Sequence, residues 1–351
     1  MTEFHKSTFG GRFVAAGEFL PGNLMARADS DMRAVVEAWT DLGARPIESL
    51  LPRDVRRQPD LEAAARALLA RADREGELAQ NVETEDLAVS TPDGDMAIRL
   101  YRPQQAGDGP LPVILYFHDG GFVAGGIEQS QAVPRALARR TGAIVAVPAY
   151  RLAPEHHFPA AHDDSYAAWL WLVEEARSLG GDPARLALIG EGAGGNLAIN
   201  VALQAHAERS IKPVHQVLIH PIASNDLTSP SYIENLRAAP VGTPTMQYFF
   251  RHAFASRADA ADPRIALLGR KDFKGLPPTT LVLAEIDPLR GEGEALAERL
   301  HEQGVSVDLR IYEGVTQGFF GLGALVNKAM FAQSQVAGNL LEAFAAKSRK
   351  I

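Results

Sequence analysis

Residues 185–198, RLALIGEGAGGNLA, decide the fold. LALIG is a short, continuously apolar run, the glycine cluster after it is a turn, and GGNLAINVALQAHAE (194–208) repeats its apolar residues at helical spacing. Strand, tight turn and helix in that order form the βα unit of a parallel sheet. The pattern recurs along the chain. VILYF (113–117), AIVAV (143–147), QVLI (216–219), TTLVLA (279–284) and VDLRIY (307–312) are further short apolar runs, as expected of strands buried on both faces. Stretches with helical spacing lie between most of them, among them QAVPRALARR (131–140), SYAAWLWLVEEARSL (165–179) and EGEALAERLHEQG (292–304). Parallel crossovers need helices on both sides of the sheet, so the fold class is α/β.

The flanks of this core read differently. NVETEDLAVST (81–91) and DMAIRLYRP (95–103) alternate in character around Pro92-Asp93-Gly94, which is the turn chemistry of an antiparallel hairpin. Before them come two amphipathic stretches, DSDMRAVVEAWTDLG (29–43) and DLEAAARALLARAD (60–73), each opened by an Asp suited to cap a helix. The connection over residues 222–276 is too long for a loop and contains the helical pattern TPTMQYFFRHAFASRA (243–258). Long insertions in a compact domain are usually functional lids. The expected organisation is an N-terminal segment, 1–80, contributing to a cap, and a core over 81–351 that carries 222–276 as a cap insertion. ALVNKAMFAQSQVAGNLLEAFAAK (324–347) reads as a closing helix against the sheet.

Composition narrows the partners. With 46% hydrophobic and 22% charged residues, the chain has ample material for a core. A formal net charge of -8 disfavours nucleic acid and anionic membrane surfaces. The absence of cysteine removes disulfides, thiolate metal sites and cysteine nucleophiles, and fits a reducing interior. The first twenty residues show neither a signal-peptide pattern nor a membrane span, so a cytoplasmic protein is expected.

Gly190-Glu191-Gly192-Ala193-Gly194-Gly195 matches the glycine fingerprint of dinucleotide sites. That fingerprint also requires an acidic residue at the end of the next strand, where this chain has His220, and a place in the first βα unit of the sheet. Both conditions fail, so no cofactor is expected. The same glycines frame a nucleophile elbow, G-x-S-x-G, without its central serine. Four other segments, YFHDGGFVAGG (116–126), YRLAPEHHFPAAHDDSYAAWLWL (150–172), AEIDPLRGEGEALAERL (284–300) and YEGVTQGFFGL (312–322), occur in an order that resembles the bacterial hormone-sensitive-lipase family of α/β-hydrolase carboxylesterases.

The resemblance implies an α/β-hydrolase fold, a mostly parallel sheet flanked by helices with a helical cap, and a pocket for a small carbonyl-bearing molecule. It places the family's HGGG loop on His118-Asp119-Gly120-Gly121, and the oxyanion hole on the amides of Gly120, Gly121 and Ala193. It places the triad acid on Asp287, the nucleophile on Gly192 and the base on Gln317. Glycine forms no acyl-enzyme, and a glutamine amide takes no proton at neutral pH, so the Ser-His mechanism is not available in this reading. The resemblance also admits a homodimer.

Three functions fit these residues. An enzyme without serine acylation could use the hole for an enolate or for direct attack by water, as a lyase, isomerase, cyclase or hydrolase. Asp287 or Asp119 would then be candidates for the base. A pseudo-esterase would keep the pocket for a small apolar ligand. A displaced hydroxyl, Thr316, could support weak esterase activity. Each site residue also has a plainer role open to it: His118 bracing the backbone, Asp287 as a remnant bonded to local amides or Gln317, Asp119 pointing at solvent, and Glu191 as the ordinary acid of the elbow. The cluster Glu155, His156, His157, His162, Asp163 and Asp164 lacks helical ligand spacing, and no metal is expected there.

Overall fold

A computed structural model of the chain describes residues 24–74, 76, 82–104 and 109–348. The first 23 residues of the expected cap segment lie outside them. Eight strands form one sheet: β1 (Val82–Thr91), β2 (Gly94–Pro103), β3 (Leu111–Phe117), β4 (Ile144–Pro148), β5 (Gly181–Glu191), β6 (His215–Ile219), β7 (Thr279–Ile286) and β8 (Val307–Thr316). Their order is β1-β2-β4-β3-β5-β6-β7-β8. β1 and β2 pair antiparallel around the Pro92-Asp93-Gly94 turn, β2 pairs antiparallel with β4, and every pairing from β4 to β8 is parallel.

The apolar runs are continuous because both faces of the sheet are covered. Val113, Leu115, Leu186 and Leu188 enter one core with Trp169, whereas Ile114, Tyr116, Ala187 and Ile189 enter the other. Eight helices of ten or more residues surround the sheet: α1 (Ser30–Asp41), α2 (Leu61–Arg71), α3 (Ala132–Thr141), α4 (Ala160–Glu175), α5 (Ala193–Ala207), α6 (Thr243–Ala253), α7 (Arg290–Glu302) and α8 (Asn327–Ser348). The last is the expected closing helix, and it packs against α3 and β5 to β8.

Only one of the two expected aspartate caps forms. The Asp60 carboxylate accepts from Ala63 N at 2.6 Å and caps α2. Asp29 stands before α1 but makes no capping bond, because its carboxylate pairs with Lys328 Nζ at 2.7 Å. α1 packs on α2, and α2 packs on the short turn Phe319–Leu322 just after β8. α6, from the 222–276 segment, lies against Ile47–Ser49, where Thr245 Oγ1 donates to Glu48 at 3.0 Å. The N-terminal and inserted segments therefore touch each other near the carboxyl ends of the strands.

Candidate active site

Open α/β sheets place their sites beyond the carboxyl ends of the strands. Here β3 runs into His118 and Asp119, β5 ends at Glu191, β7 is followed by Asp287, and β8 by Gln317. The pairing of Ile286 with Thr316 makes Asp287 and Gln317 immediate neighbours in the exit from the sheet.

The turn between β5 and α5 is as sharp as the glycines suggest. Gly192 has φ 52° and ψ -113°, its N–H donates to Ile219 O at 2.9 Å, and α5 begins at the next residue. A Cβ added at Gly190 would collide with the Gly194 carbonyl, so the helix can lie this close to the strand only with glycine there. A Cβ added at Gly192 would land on the Asp119 carboxylate.

That carboxylate occupies the centre of the site. Asp119 Oδ1 accepts from Gly120 N at 2.6 Å and from Ala193 N at 3.3 Å, and Oδ2 accepts from Gln317 Nε2 at 2.9 Å. Two of the three amides expected to hold an oxyanion thus converge on one point, where they hold the protein's own anion. The N-terminal end of α5 adds its dipole to the same charge. Gly121, the third expected donor, lies directly under the Phe249 ring of α6. Asp119 does not point to solvent.

Asp287 is fully buried. Its Oδ1 accepts from Leu289 N at 2.8 Å, and its Oδ2 has no hydrogen-bond partner among the described residues. Burial pushes its carboxyl up to about 8, with the charge of Asp119 adding to the shift. At neutral pH it carries a proton and can donate a hydrogen bond. Gln317 is also buried, and its Oε1 is likewise unpartnered.

His118 braces the loop. Its Nδ1 lies 2.7 Å from Asp119 O and 3.0 Å from Tyr150 Oη, the two rings stack at 4.3 Å, and burial pushes the imidazole down to about 4. Thr316 Oγ1 is buried and donates to Gln317 O at 3.4 Å. The acid and histidine cluster of 155–164 is spread among structural bonds: Glu155 with Arg56, His162 with Asn196, and Asp164 with Arg151.

A cavity of about 220 Å³ opens onto this centre. Asp119, Gly120, Gln317, Glu191, Tyr116 and Phe249 contribute to its wall, whereas Gly192 and Asp287 do not. Three groups at or behind this wall are not marked as a site by the sequence: Glu191 reads as the elbow's ordinary acid, Tyr116 as part of the apolar run of β3, and His220 as the end of β6. Glu191 Oε1 accepts from Tyr116 Oη at 2.6 Å, and His220 Nε2 lies 3.8 Å from Glu191 Oε2. A titratable residue directly after a buried run, as in HQVLIHP, is the signal that could have marked His220. A larger groove of about 640 Å³ meets the cavity at Glu62 and Gly321, and it holds none of the predicted site residues.

The fit between Gly192 and Asp119 makes a stability prediction. Gly192→Ala would force a side chain into a left-handed backbone conformation, at a cost of about 1–3 kcal/mol, and would displace the carboxylate as well. Urea unfolding should show at least that loss. An unchanged midpoint would mean that the contact is slack.

The α/β hydrolase fold family matches residues 114–321. An ethyl acetate hydrolase of Pseudomonas putida is 34% identical over 84% of this chain and 92% of its own length. The carboxylesterase NlhH of Mycobacterium tuberculosis is 37% identical over 76% of this chain and 84% of its own. Among solved structures, a hyperthermophilic esterase from the archaeon Pyrobaculum calidifontis superposes with a TM-score of 0.78 at 32% identity, covering 88% of this chain and 97% of that one.

Proposed function

Because the chain belongs to the bacterial hormone-sensitive-lipase-like family of α/β-hydrolase carboxylesterases, we propose that it acts on a small carbonyl or acyl compound by a non-serine mechanism in which the Asp119 carboxylate is the reactive group. One observation carries this reading: the Asp119 carboxylate takes the space that a side chain at 192 would fill, and its three donors come from Gly120, Ala193 and Gln317. The departures at 119, 192 and 317 then form one coordinated change. Glycine makes room for the carboxylate, and glutamine supplies an N–H to it where a histidine would have served a serine.

In this reading Asp119 takes a proton from the substrate or from a water, and the cap is formed by the N-terminal helices and α6. Elimination, isomerisation, cyclisation and hydrolysis by direct water attack all begin with that step. A second reading, a pseudo-esterase that holds a small apolar ligand, draws on the same filled hole, since a resident carboxylate blocks a substrate oxygen from the two amides.

Styrene oxide and a fluorophosphonate ester separate these possibilities. A reactive Asp119 opens the epoxide: its oxygen bonds to the ring carbon, the ring C–O bond breaks, and the alkoxide takes up a proton. Peptide mass spectrometry should find the hydroxyalkyl ester on Asp119 and none in Asp119→Asn, while the fluorophosphonate leaves the protein unmodified. A fluorophosphonate adduct on any hydroxyl would overturn the non-serine reading. An unlabelled Asp119 would favour the ligand-binding one.

A further inference from the structure

Resting on the reading of Asp119 as proton acceptor, we infer that Glu191 is the site's proton donor, so that the pocket works with two carboxyl groups in opposite roles. Both groups border the same cavity: Glu191 directly precedes Gly192, and the Asp119 carboxylate occupies the space of a Cβ at 192. Their surroundings differ in kind. Asp119 is met by three N–H donors, two of them backbone amides. Glu191 is 5% exposed and sits at the end of β5 with one hydroxyl donor, Tyr116 Oη, and the edge of the buried His220 ring. No backbone amide is given to it among the described residues.

The groups facing Glu191 come from three elements: Tyr116 on β3, Asp119 in the loop after β3, and His220 after β6. Tyr116 stays protonated, its hydroxyl held well above its ordinary range by burial, and burial keeps His220 neutral. The charge of Asp119 repels a second anion at Glu191. Burial, with that repulsion added, pushes Glu191 up to about 7. The two carboxyl groups thus differ in their donors, with three N–H groups at Asp119 and one hydroxyl at Glu191.

The pair suits elimination of a group X from the position β to a carbonyl. Asp119 takes the α-proton, the C–H electron pair becomes the new C=C bond, the C–X bond breaks, and X leaves with the proton of Glu191. Asp119 ends protonated and Glu191 ionised, and transfer of the proton from Asp119 to Glu191 restores the start. His220 is buried with φ 35°, neither ring nitrogen has a hydrogen-bond partner among the described residues, and its Nε2 stands 3.8 Å from Glu191 Oε2.

Two probes test the donor. Dicyclohexylcarbodiimide adds only to protonated carboxyl groups. It should modify Glu191 at about pH 6 and fade as the pH rises past about 7, whereas an ordinary glutamate is already ionised at about pH 6. No modification of Glu191 at the lower pH would overturn the inference. In the styrene oxide reaction the alkoxide needs a proton, so Glu191→Gln should slow labelling of Asp119 by about 100-fold and remove the alkaline fall in its rate. Equal labelling rates and pH profiles in the two proteins would also overturn it. Thermal unfolding of Glu191→Gln controls for misfolding, and Glu191→Asp should recover part of the rate. An Asp119 that is never labelled while Glu191 takes up carbodiimide would count against the proposed function and leave the neutral glutamate standing.

Discussion

Serine at 192 together with histidine at 317 is expected to leave the protein without measurable hydrolysis of p-nitrophenyl acetate, and activity should emerge only when Asp119→Gly is added. The double change supplies the residue names of a triad but not its space. A Cβ at 192 meets the Asp119 carboxylate, and that carboxylate already holds the amides of Gly120 and Ala193. An oxyanion forming in the acyl-transfer step would face a like charge in place of two donors. Losing a single such donor costs about 100- to 1,000-fold in rate, so the triple variant should exceed the double by about 1,000-fold or more. The measurement is initial rate against pH for the native, double and triple proteins, with fluorophosphonate labelling of the new serine as a check. A double variant as active as the triple would show that the carboxylate swings aside at no cost, and would remove the main support for its role.

Stability should fall as the pH rises from about 4 to about 8, and Asp287 should account for the steepest part. Burial holds its folded carboxyl at about 8, whereas an unfolded aspartate titrates near about 4. Between those values the native state binds a proton that the unfolded chain has lost, so ∂ΔG/∂pH is negative there. The stabilisation is complete below the unfolded value and is lost as the pH climbs through the folded one. The slope reaches about 1.4 kcal/mol per pH unit for one group, and Glu191, at about 7, adds in the same direction. Asp287→Asn mimics the protonated form. It should match the native protein near the acid end, exceed it at about pH 8, and flatten the curve of Tm against pH between them. If the substitution lowers Tm by the same amount at every pH, Asp287 is ionised in the folded protein.

The core of the fold is written plainly in the sequence. Strands covered on both faces must be apolar at every position, so LALIG, VILYF and AIVAV could be read without any partner in view. The elbow was equally open, because close approach of strand and helix leaves only glycine at 190. The details that depend on orientation were not legible. Asp119 carries no periodic signal, and its place in a loop reads first as a polar side chain pointing at solvent. Its direction follows from the amides of Gly120 and Ala193, 74 residues apart in the case of Ala193. Glu191 reads as an ordinary elbow acid until Tyr116 and His220 are seen against it. Asp29 has the form of a helix cap, but Lys328, from the far end of the chain, competes for its carboxylate.

The overlap at residue 192 also limits how such a protein can arise. A side chain at 192 and the 119 carboxylate claim the same space, so a protein with serine at this turn and aspartate at 119 would have to turn the carboxylate away. Glycine at 192 opens the space at one stroke, after which an acid in the preceding loop finds two amides and a helix end waiting.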